Sequence, residues 1–147
     1  VHRARPDEAA RIAQLSQKAN QFSVCTNRYS AAEVEGLVRG ENGACVYAVC
    51  AGDRFGDQGL VAFAVVRDAE IVDFTMSCRV AGRGLETRAW AEMARDLRAR
   101  GVGRIRARWR RTAKNAPVAD LFDRLGFDCV ADGPDERRFS RDLTLIE

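Results

Sequence analysis

The longest stretch of clear patterning runs from Ile71 to Arg100. Its first part is an apolar run, Ile71 to Met76, which predicts a strand over 71–80. Its second part repeats apolar residues at Leu85, Ala89, Trp90, Met93 and Leu97, which predicts a helix over 85–100 stopped by Gly101 and Gly103. The joint between them holds Arg79, Gly82, Arg83 and Gly84. A glycine turn feeding a helix N-terminus presents unpaired backbone N–H groups and the positive end of the helix dipole, so it predicts an anion site.

The rest of the chain divides in the same way. Val1 to Arg5 reads as a short strand, and Pro6-Asp7-Glu8 opens a helix carrying Ile12, Leu15 and Ala19. Residues 23–29 read as loop, and Ser30-Ala31-Ala32-Glu33 is a capping box opening a helix to Gly40. Ala44 to Ala51 and Leu60 to Val66 read as a hairpin around a glycine- and aspartate-rich turn, 52–59. Arg104 to Arg110 alternates strictly, with Ile105, Ala107 and Trp109 on one face and four arginines on the other. Asn115 to Leu125 reads as a helix stopped by Gly126, followed by strands at Phe127–Val130 and Arg137–Leu145. The order β-α-α-β-β-β-α-β-α-β-β predicts an α/β (α+β) domain over 1–147, with a mixed sheet and helices on both faces.

Composition narrows the chemistry. The 147 residues are 46% hydrophobic and 31% charged, and the net charge of +3 is too small to imply a nucleic-acid partner. No run approaches membrane-span length and no signal peptide opens the chain, so no membrane partner and a cytoplasmic location are expected. Valine at position 1 leaves a longer parent protein open. The five cysteines are scattered and His2 is the only histidine, so no metal site, Ser-His-Asp set or Cys-His pair is expected.

Three motifs carry a resemblance: Val1-His2-Arg3-Ala4-Arg5-Pro6-Asp7-Glu8-Ala9, Cys78 to Glu86, and Asn115-Ala116-Pro117 through Phe122 to Leu125-Gly126-Phe127. In this order they resemble the opening, the pyrophosphate loop and the final helix of GNAT acyltransferases, which implies a GNAT-like, mostly antiparallel central sheet. Within that family, residues 11–127 resemble the C-terminal GNAT-like domain of FkbH-like proteins. The match is carried by Gln17 to Phe22, Asp53 to Asp57, Ser77 to Gly84 and Thr112 to Val118. That resemblance implies handling of an acyl group, such as glyceryl, on the phosphopantetheine of an acyl carrier protein in polyketide biosynthesis. It also implies a HAD-type phosphatase domain elsewhere in a parent protein.

The resemblance implies an acyl-CoA or acyl-phosphopantetheine thioester held by Met76, Cys78, Arg79, Val80, Gly82, Arg83, Gly84, Leu85, Asn115 and Phe122. The loop form R/Q-x-x-G-x-G/A fits in two registers, 79–84 and 81–86, and the second puts the Glu86 carboxylate where a diphosphate would approach. Cys78 is either a thiolate relay for the acyl group or a buried apolar thiol. Asp73 is a candidate general base for an incoming amine, and strand alternation places it beside Thr75 and away from Cys78. Many GNAT enzymes carry a tyrosine after the phenylalanine of the last helix; here Asp123 stands there, and Tyr29 and Tyr47 are the only tyrosines.

Gln17, Lys18, Asn20 and Gln21 form a polar cluster that, in the GNAT fold, overlies the acceptor site; Gln17, Asn20 and Gln21 are the candidate substrate contacts there. Arg106, Arg108 and Lys114 belong to a basic patch suited to phosphate or an acidic carrier protein. If the strand at 104–110 is covered on both faces, its arginines must either line an open cleft or meet carboxylates such as Asp120, Asp123 or Asp128. Three functions follow: thioester acyl transfer involving a carrier protein, acetyl-CoA-dependent N-acetylation of a small amine, and non-catalytic carrier-protein docking.

Overall fold

The computed structural model describes residues 1–19, 22–53, 56–77 and 84–145. In chain order the elements are β1 (His2–Arg3), α1 (Ala9–Lys18), α2 (Ala31–Val38), β2 (Ala44–Asp53), β3 (Gly56–Arg67), β4 (Glu70–Met76), α3 (Leu85–Ala99), β5 (Arg104–Arg110), α4 (Leu121–Arg124), β6 (Asp128–Asp132) and β7 (Glu136–Asp142). The strands form one sheet in the order β1-β2-β3-β4-β5-β7-β6. Every named pairing is antiparallel except β4 with β5. This is the mixed sheet that the element order predicts, and it is mostly antiparallel as the resemblance to GNAT acyltransferases implies. Among the described residues no helix is long and apolar enough to cross a membrane.

Local chemistry sets several boundaries. The Ser30 hydroxyl accepts from the Glu33 N–H at 3.1 Å, and the Glu33 carboxylate accepts from the Ser30 N–H at 3.1 Å. Both start α2 as the sequence predicts. Asp68 and Ala69 both have positive φ, 52° and 58°, and close the β3–β4 hairpin between the paired Arg67 and Glu70.

Other boundaries depart from expectation. The turn expected over 52–59 is shorter: β2 runs on to Asp53 and β3 starts at Gly56, because Gly52–Asp57 and Asp53–Gly56 still pair. The helix expected over 115–125 is two pieces, a 3-10 turn at Ala116–Val118 and the short α4. The Ala119 carbonyl accepts from the Arg137 guanidinium at 2.6 Å, an outside partner for an oxygen that a continuous helix would use internally. The last strand stops at Asp142, whose carboxylate takes the Thr144 N–H at 2.9 Å and turns the chain into a 3-10 segment.

Two apolar layers flank the sheet. On one face α1 and α2 bury Ile12, Leu15, Val34 and Leu37 against Val46, Ala48, Phe63 and Val65. On the other, α3 and α4 bury Trp90, Met93, Leu97, Leu121 and Phe122 against Ile71, Phe74, Ile105, Ala107, Trp109 and Phe139. A β-bulge at Val72 decides how β4 addresses these layers. Val66 pairs with Ile71 but its neighbour Val65 pairs with Asp73, so Val72 is an extra residue. Ile71 and Phe74 therefore both enter the α3 layer, and Asp73 and Thr75 point to the opposite face.

The expectation that β5 is covered on both faces is corrected. Its Ile105, Ala107 and Trp109 face is buried under α3 and α4, while Arg104, Arg106 and Arg110 are exposed and Arg108 is half-buried. The reason is reach: α1 and α2 pack over β2, β3 and the start of the β4 region, leaving the arginine face of β5 bare.

Candidate active site

The parallel strands β4 and β5 pair only near the start of β4, at Glu70–Arg106 and Ile71–Ala107. Beyond that point they separate, and a segment of the α1–α2 connection lies between them. Ser23 forms an antiparallel bridge with Thr75. The Val24 N–H donates to the Phe74 carbonyl at 3.2 Å, and the Met76 N–H donates to the Phe22 carbonyl at 2.8 Å. On the other side the Arg110 N–H donates to the Val24 carbonyl at 2.8 Å. The Cys25 thiol donates to the Arg108 carbonyl at 3.4 Å. Residues 22–25 are thus a strap that completes the sheet where β4 and β5 diverge. The loop expected over 23–29 hides this short extended piece.

Side chains fasten the strap. Asn115 is fully buried, and its amide donates to the carbonyls of Ser23 at 3.1 Å, Val24 at 3.4 Å and Arg110 at 2.7 Å. Its side-chain oxygen accepts from the Thr112 N–H at 2.8 Å. The Arg110 guanidinium donates to the Cys25 carbonyl at 2.8 Å and to Asn27 Oδ1 at 2.9 Å. Burial pushes the Cys25 thiol up to about 12, a thiol with no thiolate character at neutral pH.

Beneath the strap lies Asp73, with no exposed surface. One carboxylate oxygen accepts from Ser23 Oγ at 3.2 Å, Thr75 Oγ1 at 3.1 Å and the Phe74 N–H at 3.0 Å. The other accepts from the Asn27 N–H at 3.3 Å. Burial pushes the carboxyl up from 3.8 to about 6, and these hydrogen bonds pull it back down. Asp73, the base that the sequence suggests, is thus a buried carboxyl held by four hydrogen bonds.

The remaining predicted site residues divide among three settings. Cys78, Arg79, Val80, Gly82, Arg83, Asn20 and Gln21 lie outside the described residues. Gly84 sits at the start of α3 with φ 78°, a left-handed position suited to glycine. Leu85 lines a cavity of about 230 Å³ with Val49, Cys50, Arg88 and Glu92, on the α3 side. Met76 and Asn115 meet at the strap. Phe122 is wholly in the core, ring to ring with Phe127 and Phe139.

Gln17 donates to the Tyr29 carbonyl at 3.0 Å and so holds the loop that carries the strap. Lys114 is exposed. Arg106 donates to the Asp68 carbonyl at 2.7 Å, and Arg108 reaches Glu70 at 3.4 Å and Glu136 at 3.5 Å. The arginines of β5 do meet carboxylates, but those of β4 and β7 instead of Asp120, Asp123 and Asp128, because cross-strand neighbours are nearer than α4.

Three further expectations gain geometry. Glu86 is buried, and Arg124 of α4 lies 3.4 Å from its carboxylate, so its charge is paired. Asp123 is held by Arg137 at 2.8 Å; Tyr47 donates to Asp96 at 2.6 Å, and Tyr29 packs edge-on to Phe63. The sequence predicts no metal site, yet His2, Glu8 and Cys50 bring ligand-type atoms within 4.8 Å of one another. The Glu8 carboxylate there is already engaged by His2 Nε2 at 2.8 Å, the Arg5 N–H at 2.9 Å and the Arg5 guanidinium at 3.6 Å.

Two of the groups that the resemblance assigns to a thioester arm already have partners. The resemblance assigns Met76 and Asn115 to the thioester, and both are consumed by the strap. Of the ten residues so assigned, Cys78, Arg79, Val80, Gly82 and Arg83 lie outside the described residues.

No protein-family model matches the chain, and no curated protein sequence matches it. Solved structures do. A protein assigned to the GNAT acetyltransferase family from Desulfovibrio desulfuricans superposes with TM-score 0.68 at 18% identity, covering 97% of each chain. The yncA protein of Salmonella typhimurium, solved with its cofactor acetyl-CoA, gives TM-score 0.72 at 15% identity, covering 97% of this chain and 92% of that one. The ribosomal-protein-S18-alanine N-acetyltransferase of Escherichia coli gives 0.67 at 16% identity, covering 96% and 91%. Nothing in these likenesses points to FkbH-like proteins in particular. Strand order, the diverging β4–β5 pair and these superpositions agree that the chain has the fold of the GNAT acetyltransferases.

Proposed function

We propose that the chain is a GNAT-type acyltransferase that takes an acyl group from acetyl-CoA or a related acyl-CoA and delivers it to an amine. The observation that carries this reading is Asp73. A carboxylate wholly out of water, on the face of β4 opposite Phe74, with its pKa raised to about 6, is a proton acceptor set where β4 and β5 part. Support also comes from the fold, shared with proteins named for acetylating a ribosomal-protein alanine and spermidine, and with one solved with acetyl-CoA. When bound, an acyl-CoA supplies an activated thioester. The chain's own part is to hold the amine's proton at an Asp73 oxygen.

The resemblance of 11–127 to FkbH-like domains extends this reading to a second donor, an acyl group such as glyceryl on the phosphopantetheine of an acyl carrier protein. The HAD-type phosphatase partner belongs to that extension, as do Cys78 as a relay and the non-catalytic docking role. The experiment presents acetyl-CoA and acyl-carrier protein separately, each with a polyamine and an alanine-terminated peptide, and reads the products by mass spectrometry. Acetylated amine formed by the wild type, and reduced about a hundredfold in Asp73→Asn, is the expected result. Transfer from the carrier protein alone would replace the first donor by the second. Binding of the carrier protein with no transfer would leave only docking.

A further inference from the structure

We infer that residues 22–25 are an occluding strap, and that the protein alternates between the closed sheet described above and an open form in which the strap has left the β4–β5 fork. The inference rests on the acyl-donor reading above, and the strap engages two of the residues that the resemblance assigns to the donor.

Three observations converge on the same short segment. First, an extended, amide-bearing arm that lies along a strand edge needs that edge's N–H and C=O groups. At the fork these are the Phe74 carbonyl, the Met76 N–H and the Arg110 N–H, and the strap takes all of them. Second, an acceptor must reach Asp73. The strap covers it: Ser23 Oγ sits on the carboxylate at 3.2 Å and bonds to Thr75 Oγ1 at 2.9 Å. Donor entry and acceptor access thus fail for one cause, and one movement restores both.

Third, the strap is a short segment, held by backbone bonds and by the burial of Val24 and Cys25 in the core. It adds one short extended segment to strands that already pair on their other sides, β4 with β3 and β5 with β7. Its side-chain fasteners are Asn115 on the Ser23 and Val24 carbonyls, Arg110 on the Cys25 carbonyl, and Asp73 and Thr75 on the Ser23 hydroxyl. Opening leaves the sheet on either side intact. The strap therefore keeps a buried base from meeting solvent until a donor competes for the fork, and the donor's apparent affinity is lowered by the fraction of molecules that are closed.

The bridge between Ser23 and Thr75 offers a reversible lock. Their hydroxyl oxygens lie 2.9 Å apart across an antiparallel pair, so the double variant Ser23→Cys/Thr75→Cys can close a disulfide that pins the strap to β4. Acetyl-CoA affinity is measured by calorimetry on the same preparation, oxidised and then reduced, with the cross-link mapped by peptide mass. The oxidised form is expected to bind at least about tenfold more weakly than the reduced form. Equal binding in the two forms overturns the strap and leaves the acyltransferase reading standing. Binding in neither form, nor in the wild type, removes the donor reading and the strap with it.

Amide exchange on the unmodified protein gives a second readout. The Val24 N–H, protected by the Phe74 carbonyl, is expected to exchange faster with saturating acetyl-CoA than without. Unchanged protection under saturating ligand also overturns the inference.

Discussion

Replacing Asp73 by asparagine and following stability against pH tests which force governs the buried carboxyl. Two effects compete there. Loss of water favours the protonated form, and four hydrogen bonds favour the ionised form; the first wins, leaving the group at about 6 where an ordinary aspartate stands at 3.8. The sign follows directly. Between pH 3.8 and about 6 the folded chain binds a proton at this site that the unfolded chain has lost. Stability from this group is therefore present at low pH and is lost as pH rises through about 6. The interval is about two pH units, so at 1.36 kcal/mol per unit the loss is about 3 kcal/mol.

Urea unfolding of wild type and Asp73→Asn, stepped from about pH 3.5 to about pH 7.5, gives two curves whose difference removes every other titrating group. That difference should fall by about 3 kcal/mol across the interval, whatever constant offset the amide introduces. A difference that stays flat or rises with pH would mean that the four donors outweigh burial. Asp73 would then be ionised even in acid, and too weak a base for the role proposed.

Other outcomes are open to simpler measurements. Asn115→Ala strips four hydrogen bonds from one fully buried side chain and orphans the Thr112 N–H and the Arg110 carbonyl. It should cost about 3 kcal/mol in denaturant unfolding, and a loss under about 1 kcal/mol would show that water replaces the clamp. Phe122→Ala should destabilise by about 3–5 kcal/mol, because the ring is wholly buried between Phe127 and Phe139. Thiol labelling with a chromogenic disulfide reagent should reach the exposed Cys129 promptly at neutral pH. Cys25, buried with its thiol pushed up to about 12, should react only when the strap opens or the chain unfolds.

Much of this architecture is legible in the residues. The periods of Leu85 to Leu97 and of Arg104 to Arg110 mark α3 and β5 because each has one buried stripe and one polar one. Ser30 and Glu33 announce α2 because their cap is local chemistry. What escapes is everything set by distant partners. Phe22 to Cys25 carries too few residues to signal a strand, and it becomes one only because β4 and β5 offer edges to it. The carboxylate partners of Arg108 come from β4 and β7, positions fixed by sheet order and not by spacing along the chain. Asn115 reads as a helix start, yet its side chain faces inward and clamps carbonyls up to 92 positions away. Of the candidate site, Asp73 was visible as a carboxylate in an apolar run; its depth was not.

The bulge at Val72 has a consequence for how β4 tolerates changes of length. β4 spends one residue more than β3 needs to pair with it. Deleting Val72 would make the pairing regular, with Ile71 still toward α3 and Asp73 still toward the strap, since alternation counted back from Met76 already assigns both sides that way. A deletion at Phe74 or Thr75 would instead invert the faces of the residues before it, sending Asp73 into the apolar layer. The extra residue thus gives β4 a place to lose a position without losing its carboxylate's orientation, so a shortened β4 that still works should lack Val72.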